Sequence, residues 1–259
     1  MSVPAASIGR LFHHRASSAS LRVTIYLSCC GISEDEVALT STGLATDHRG
    51  ILVFTMPDGD PETLKAGTTD LTAFNPEGRV PILLLNDGRK LTQTGPIIEY
   101  LEAVLPGGKG AALTPADPWA RAEMHRIMWI VAADIQPYQN IPFIIQAMSE
   151  WGMVKADPTA HPLRLHYIRR EFGALEHILA RSAGKFAVGD QLTQADCFLV
   201  PQIRNALLAE IDLAREFPNL AQVWENAIAE PRVQDVLEAS GGVIQPLAFD
   251  RDRFEVYSD

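Results

Sequence analysis

The spacing of apolar residues changes near Asp117, and this change limits the chain to a fold with two dissimilar parts. After Asp117, apolar residues recur at intervals of three and four, which is the period of one helix face. Before that point, short apolar runs of strand length alternate with helical segments, a pattern typical of mixed α/β structure. We therefore predict an α/β N-terminal part followed by an all-helical part. The Gly-rich stretch before Asp117 marks the boundary.

The predicted domains are residues 1–107, residues 114–240 and a C-terminal tail, 241–259. Two apolar stripes predict the first long helices of the second part: Met124, Met128, Val131 and Ile135, then Leu165, Ile168, Phe172, Leu175 and Leu179. The first stripe is expected to end at Pro137, because proline lacks the amide proton that a helix interior needs. Thr193 and Asp196 have the spacing of a capping box, so another helix is expected there.

The N-terminal part alternates strand and helix signals. The expected elements are a strand over 8–13, a helix over Leu21–Cys30, strands at Val37 and Leu39, at Ile51–Phe54 and at Ile82–Leu85, and a helix entered through Pro96. Residues 43–69 are polar and rich in Gly and Pro, and they are long for a connection in a compact domain. We interpret them as an insertion or a mobile loop near a site.

Composition is that of a globular protein, with 47% hydrophobic residues, and no apolar run approaches the length of about 20 that spans a bilayer. The net charge of −10 argues against a nucleic-acid partner, because a negative surface repels phosphate. Cys29, Cys30 and Cys197 have no metal-ligand spacing, so no metal is expected. Their odd number favours a reducing compartment, the cytoplasm.

A run of small hydroxyl residues, Ser17, Ser18 and Ser20, stands between the first strand and the first helix. The first backbone N–H groups of a helix have no partner within it, and the helix dipole favours an anion at that end. These serines therefore either donate to a bound anion or cap the helix through their hydroxyl oxygens. The residues alone favour capping.

Several motifs then occur in a fixed order and together resemble the zeta class of glutathione transferases, which includes maleylacetoacetate isomerase. They are Ser17-Ser18-Ala19-Ser20-Leu21-Arg22-Val23, Val80-Pro81, Gln93-Thr94, Ile135-Gln136-Pro137-Tyr138-Gln139-Asn140, and Asp190-Gln191-Leu192-Thr193-Gln194-Ala195-Asp196. The resemblance implies a thioredoxin-like N-terminal domain, an all-α C-terminal domain, a homodimer and glutathione as cofactor. Its activity would be glutathione-dependent cis-trans isomerisation of an unsaturated keto acid.

Site residues follow from the resemblance position by position. The catalytic serine falls on Ser17, with Ser18 as the second candidate, and Ser18 and Ser20 are interpreted as caps. The remaining assignments are Val80 with Pro81 for the cysteinyl part of glutathione, Gln93 and Thr94 for its γ-glutamyl end, and Gln136 and Asn140 near the site. A cis bond before Pro81 would leave the backbone of Val80 open to a ligand, and both isomers stay open at this stage.

Three departures from the family pattern bear on the substrate, which is expected to be a small electrophile or unsaturated acid. Ala19 and Leu21 replace the family's cysteine and tryptophan, and Leu208 stands where the family has a substrate-binding arginine. Arg204, one helical turn earlier, either substitutes for that arginine or is a solvated surface charge; Arg22 is likewise either a substrate contact or a surface charge. Two alternatives therefore stay open: a transferase or isomerase acting on another electrophile, and a non-catalytic ligand-binding or partner-binding protein.

Overall fold

The computed structural model describes residues 7–47, 52–150 and 161–242. The chain divides into two compact units between Ala112 and Leu113. The helices and strands of the first unit are β1 (Gly9–His13), α1 (Ser18–Cys29), β2 (Val37–Ser41), β3 (Gly43–Thr46), β4 (Leu52–Thr55), α2 (Pro61–Ala66), β5 (Ile82–Leu85), β6 (Lys90–Thr92) and α3 (Thr94–Val104).

Strand β1 organises the first unit. It pairs in parallel with β2 and antiparallel with β5, and β5 pairs antiparallel with β6, giving the order β2-β1-β5-β6. Helices α1 and α3 pack against each other. Leu11 and Phe12 of β1 are fully buried, as the apolar run predicted. Because the sheet fixes β1, the turn that follows His13 begins from a rigid base.

The segment over 43–69 has secondary structure of its own where it is described. Strands β3 and β4 form an antiparallel hairpin, and α2 follows with Asp60 as its N-cap. Asp60 also accepts hydrogen bonds from the Arg10 guanidinium at 2.7 and 3.3 Å, which ties the segment to β1. The expected insertion therefore contains a hairpin and a short helix where it is described, and the strand expected near Phe54 is β4; residues 48–51 lie outside the described part.

The second unit is helical throughout its described residues. Its helices are α4 (Pro118–Trp129), a π-helical segment (Ile130–Ile135), α5 (Gln136–Gln139), α6 (Ile141–Glu150), α7 (Pro162–Ser182), α8 (Gln194–Leu208), α9 (Leu213–Glu216), α10 (Pro218–Ile228) and α11 (Pro231–Ala239). The second predicted stripe is confirmed, since four of its members on α7 are almost fully buried: Ile168, Phe172, Leu175 and Leu179. No helix in the described ranges is long and apolar enough to cross a membrane.

The expected helix end at Pro137 is wrong. The chain passes from α4 through the π-helical segment into α5, where Pro137 occupies the first turn. A proline is tolerated there because a first-turn amide has no acceptor within its own helix. The sequence pattern cannot reveal the wider π turn that restarts the helix.

The capping box at the start of α8 is confirmed. The carboxylate of Asp196 accepts hydrogen bonds from Thr193 N–H at 2.8 Å, Thr193 Oγ1 at 3.0 Å and Ala187 N–H at 2.9 Å. Asp196 is only 1% exposed, and burial raises the pKa of its carboxyl to about 6 against the pull of these donors. The box joins the start of α8 to the preceding loop.

Candidate active site

Helix α1 begins three residues earlier than the apolar pattern predicts, and this places Ser17 at its N-cap. Ser17 has an extended backbone, with φ −86° and ψ 113°, and its Oγ accepts a hydrogen bond from Ser20 N–H at 3.2 Å. The interpretation of Ser18 and Ser20 as caps is therefore wrong. Both lie inside the helix, and Ser20 Oγ instead accepts from His14 N–H at 3.2 Å. The apolar pattern missed this first turn because its residues are small and polar.

The cap leaves the proton of Ser17 for another partner. A serine hydroxyl has one donor and two acceptor lone pairs, and capping engages only a lone pair. Ser17 is half-buried, whereas Ser18 is only 9% exposed. Of the two candidate serines, Ser17 is the one more accessible to a ligand. Its hydroxyl stands where the helix dipole favours a negative charge.

Val80 and Pro81 lie at the end of the sheet where β1 leads into the Ser17 turn. The bond between them is cis, and Val80 is buried. Strand β5 begins directly afterwards, with Ile82 opposite Phe12 of β1. Since β1 continues from Phe12 through His13 to the Ser17 turn, the sheet brings the Val80-Pro81 backbone close to that turn.

Gln93 and Thr94 stand at the start of α3. The hydroxyl of Thr94, a buried residue, donates to Ala19 O at 3.3 Å, which joins the first turn of α3 to the first turn of α1. Gln93 is exposed and has a positive φ of 68°, and its side-chain amide donates to Glu77 Oε2 at 2.7 Å. The N-termini of α1 and α3 therefore lie near each other in the first unit.

Glu77 is a member of this cluster that sequence reasoning missed. Its second carboxylate oxygen accepts from Thr92 Oγ1 at 3.0 Å, so the side chain bridges two successive residues before α3. The Asn75 to Gly78 turn was visible in the sequence, but the pairing across 16 positions was not. Glu77 fixes the side-chain amide of Gln93, which would otherwise rotate freely at an exposed position.

Both candidate substrate arginines are buried, so the alternative of a solvated surface charge is wrong for each. Arg22 on α1 is 1% exposed and Arg204 on α8 is 3% exposed. Burial lowers the pKa of Arg22 to about 9, so the side chain still carries its positive charge at pH 7. A helical spacing alone could not distinguish these buried positions from exposed ones.

Gln136 is the first residue of α5 and Asn140 is its C-cap, and both are half-buried. Between them, Gln139 exchanges two side-chain hydrogen bonds with Gln202 of α8, at 2.8 and 2.9 Å. Arg164 Nε on α7 donates to Gln139 O at 3.1 Å. This network, which the sequence did not reveal, anchors the α5 segment to the helix that carries Arg204.

No group of three or more His, Cys, Asp or Glu residues is placed to hold a metal ion within the described ranges. Glutathione, by contrast, suits the residues present in the first unit. Its thiol sulfur requires a hydrogen-bond donor, which Ser17 offers, and its γ-glutamyl carboxylate suits the N-terminus of α3, where Thr94 stands.

Comparison with known proteins also indicates the glutathione transferase family. The family model for the glutathione S-transferase N-terminal domain matches residues 16–104, and that for the C-terminal domain matches residues 142–240. A maleylacetoacetate isomerase of Mus musculus is 32% identical over 219 residues, covering 85% of this chain and 87% of the relative. The chain belongs to the zeta class of the glutathione transferase family. The maleylacetoacetate isomerase of Rhizobium meliloti is 35% identical and covers 79% of this chain and 84% of its own.

Solved structures of this glutathione transferase family extend the similarity across both units. A bacterial zeta-class maleylpyruvate isomerase has a TM-score of 0.69 at 27% identity, covering 89% of this chain and 97% of its own. A maleylacetoacetate isomerase of Anaeromyxobacter dehalogenans with glutathione in its active site has a TM-score of 0.66 at 29% identity, covering 89% and 95%. The predicted fold, a thioredoxin-like domain followed by an all-α domain, is confirmed.

Proposed function

We propose that this protein is a glutathione-dependent cis-trans isomerase acting on an unsaturated keto acid. The observation that carries the proposal is Ser17, a half-buried N-cap whose hydroxyl proton remains available at the positive end of α1. Relatives named maleylacetoacetate isomerase, and a similar structure of such an enzyme with glutathione bound, support it. Glutathione, when bound, would supply a thiolate for reversible addition to the substrate's double bond; rotation about the resulting single bond and expulsion of the thiolate would give the trans isomer and regenerate the cofactor.

The proposed role of Ser17 is to donate a hydrogen bond to the sulfur, which favours the thiolate over the thiol. The backbone of Val80, before Pro81, pairs with the cysteinyl part of the cofactor. Gln93 and Thr94 hold the γ-glutamyl end. In this assignment Ser18 is a secondary candidate because it is more buried than Ser17.

The second unit is proposed to contribute the substrate side of the site. Gln136 and Asn140 contribute polar groups, and Arg204 binds the carboxylate of the acid in place of the arginine that Leu208 replaces. Arg22 is proposed to provide a second, buried positive charge. We further propose that residues 1–107 bind glutathione and that 114–240 form the substrate-side domain; of the tail, residues 243–259 lie outside the described part.

Isomerisation of maleylacetoacetate and maleylpyruvate, each with and without glutathione, tests the proposal. The expected result is conversion that requires glutathione while total free thiol stays constant, because an isomerase regenerates its cofactor. An Arg204→Lys variant should retain more affinity for the acid than Arg204→Met, since it keeps the charge. Absence of conversion for both substrates would refute the isomerase.

A second candidate is a transferase or isomerase acting on another electrophile. Ala19, Leu21 and Leu208 favour it, because three positions near the predicted site differ from the family pattern. A transferase would consume thiol in proportion to product. Retained glutathione binding without turnover of any electrophile would indicate the non-catalytic alternative.

We also propose that the protein is a cytoplasmic homodimer. The three cysteines are buried thiols, which suits a reducing compartment. Trp119 and Trp129 on α4 are 73% and 62% exposed, which leaves large apolar side chains for a second copy to cover. Sedimentation equilibrium would test the stoichiometry, and a monomer at micromolar concentration would refute it.

A further inference from the structure

The turn that carries Ser17 is held by one residue, His14, through three different groups. The backbone carbonyl of His14 accepts from Ser17 N–H at 2.9 Å, and its backbone N–H donates to Ser20 Oγ at 3.2 Å. Its ring atom Nδ1 accepts from Ala16 N–H at 3.2 Å. Ala16, Ser17 and Ser20 are therefore all hydrogen-bonded to His14.

The hydrogen bond from Ala16 N–H to His14 Nδ1 resembles the side-chain hydrogen bond of an Asx turn. An Asn or Asp side chain often accepts from the amide two residues ahead, and this fixes the backbone of a turn. His14 Nδ1 makes the same connection to Ala16, and Nδ1 stands as many bonds from Cα as the Oδ1 of Asn. Only an unprotonated Nδ1 accepts a hydrogen bond, so the turn depends on a neutral imidazole.

The surroundings of His14 keep its ring neutral and in place. The ring packs against Phe54 of β4, with centroids 5.3 Å apart. Burial first, and then the charges of Arg15 and His13, lower the pKa of His14 below its ordinary value. Strand β4, which covers the ring, has no ionisable side chain. The ionisable neighbours named here therefore all favour the neutral form.

We propose that His14 is a positioning residue for the reaction: its neutral ring fixes the Ser17 turn so that the serine hydroxyl is aimed at the sulfur of glutathione. This inference rests on the proposed function, because it assumes that Ser17 contacts the thiol. Protonation of His14 replaces the Nδ1 lone pair by a donor. The turn then loses one of its three hydrogen bonds to His14, and the Ser17 hydroxyl is no longer held in one orientation.

The test compares His14→Ala with His14→Asn in the full-length protein. The alanine variant should raise the pKa of bound glutathione, read from thiolate absorbance, and lower kcat about 2- to 10-fold, the range of one hydrogen bond. The asparagine variant should restore both values near neutral pH, because its Oδ1 accepts from Ala16 N–H. A merely structural role would alter stability without moving the thiol pKa.

The acid limb of the pH profile gives a second readout. Protonation of His14 removes the same hydrogen bond that His14→Ala removes, so on the acid limb the wild-type kcat should fall about 2- to 10-fold further than protonation of the thiol alone predicts. In His14→Asn only the thiol titrates, so the acid limb should follow a single protonation without this further loss. His13→Asn is the matched control: this adjacent half-buried histidine accepts hydrogen bonds from Thr42 through its backbone carbonyl, which the substitution retains, so the further loss at low pH should persist.

The same further loss of kcat at low pH in His14→Asn, or a wild-type thiol pKa and kcat in His14→Ala, would overturn the inference. These results are distinguishable from failure of the proposed function. If Ser17→Ala abolishes turnover while both His14 variants behave as wild type, only the inference fails. If the wild-type protein does not bind glutathione, both fail.

Discussion

Replacing Ser17 should remove two interactions of different size, the observed helix cap and the proposed hydrogen bond to the thiol sulfur. Ser17→Ala loses the bond to Ser20 N–H, and an N-cap replaced by alanine costs about 1 kcal/mol of stability. It also loses the donor to the sulfur. A hydrogen bond to a charged group contributes about 1.5–3 kcal/mol, which at about 1.4 kcal/mol per unit corresponds to about 1–2 units in the pKa of the thiol.

The effect on turnover follows from the thiolate fraction. An unperturbed thiol has a pKa of about 8.5 and is only a few per cent ionised at pH 7. With a pKa lowered by about 1–2 units, roughly a quarter to three quarters is ionised. Ser17→Ala should therefore lower kcat/KM at pH 7 by about tenfold or more. The deficit should shrink above about pH 9, where the thiol ionises without help.

Two further variants separate the roles of Ser17. Glycine at an N-cap costs only a few tenths of a kcal/mol relative to serine, so Ser17→Gly should be nearly as stable as wild type yet as inactive as Ser17→Ala. Asp117→Ala is the matched stability control, because Asp117 caps α4 by accepting from Ala120 N–H at 2.8 Å. It should lose about 1 kcal/mol and keep full activity.

The assay is the pH dependence of kcat/KM with glutathione saturating, together with urea unfolding of each variant. The reasoning is refuted if Ser17→Ala has the wild-type pH profile, or if Ser17→Gly recovers activity along with stability. Either result would mean that Ser17 only caps the helix.

Three other predictions concern the wider fold and site. Glu77→Ala should raise the KM for glutathione a few-fold with kcat little changed, because it releases the Gln93 amide; a change in kcat alone, in steady-state kinetics, would contradict this role. Gly110→Ala should destabilise the first unit by about 1–3 kcal/mol in urea unfolding, since its Cβ would lie 2.4 Å from Glu102 Cα; unchanged stability would refute the contact. Asp196 binds its proton more tightly in the folded protein, because burial raises the pKa of its carboxyl to about 6. Its contribution to stability should therefore be greatest below about pH 4 and decline up to pH 6. Asp196→Asn should remove that decline from the stability-pH profile.

Much of the fold could be predicted from the sequence because it depends on periodicity and local chemistry. The stripe on α7 was identifiable because Ile168 and Phe172 repeat at the helical period, and both are fully buried. The capping box was identifiable because Thr193 and Asp196 interact within one turn. Such features need only a few consecutive residues, so a single sequence contains the necessary information.

The sequence predictions are wrong or incomplete where burial, a polar helix turn or a contact between distant residues determines the structure. Nothing in the local pattern distinguishes a buried arginine such as Arg22 from an exposed one, since both have the same helical spacing. The start of α1 was placed too late because its first turn is polar, and therefore the cap was assigned to Ser18 and Ser20 instead of Ser17. Glu77 reaches Gln93 across a turn and a hairpin, a pairing that only the folded sheet determines.

The position of Ser17 is compatible with a role both in stability and in the proposed reaction. Its oxygen completes the first turn of α1, and the same turn directs the hydroxyl proton to the site where the helix dipole favours an anion. The two roles use different parts of one hydroxyl, so they do not compete. They do share one requirement, a fixed backbone between β1 and α1. Because His14 meets that requirement through both its backbone and its ring, we expect reactivity to be more sensitive to changes at His14 than stability is.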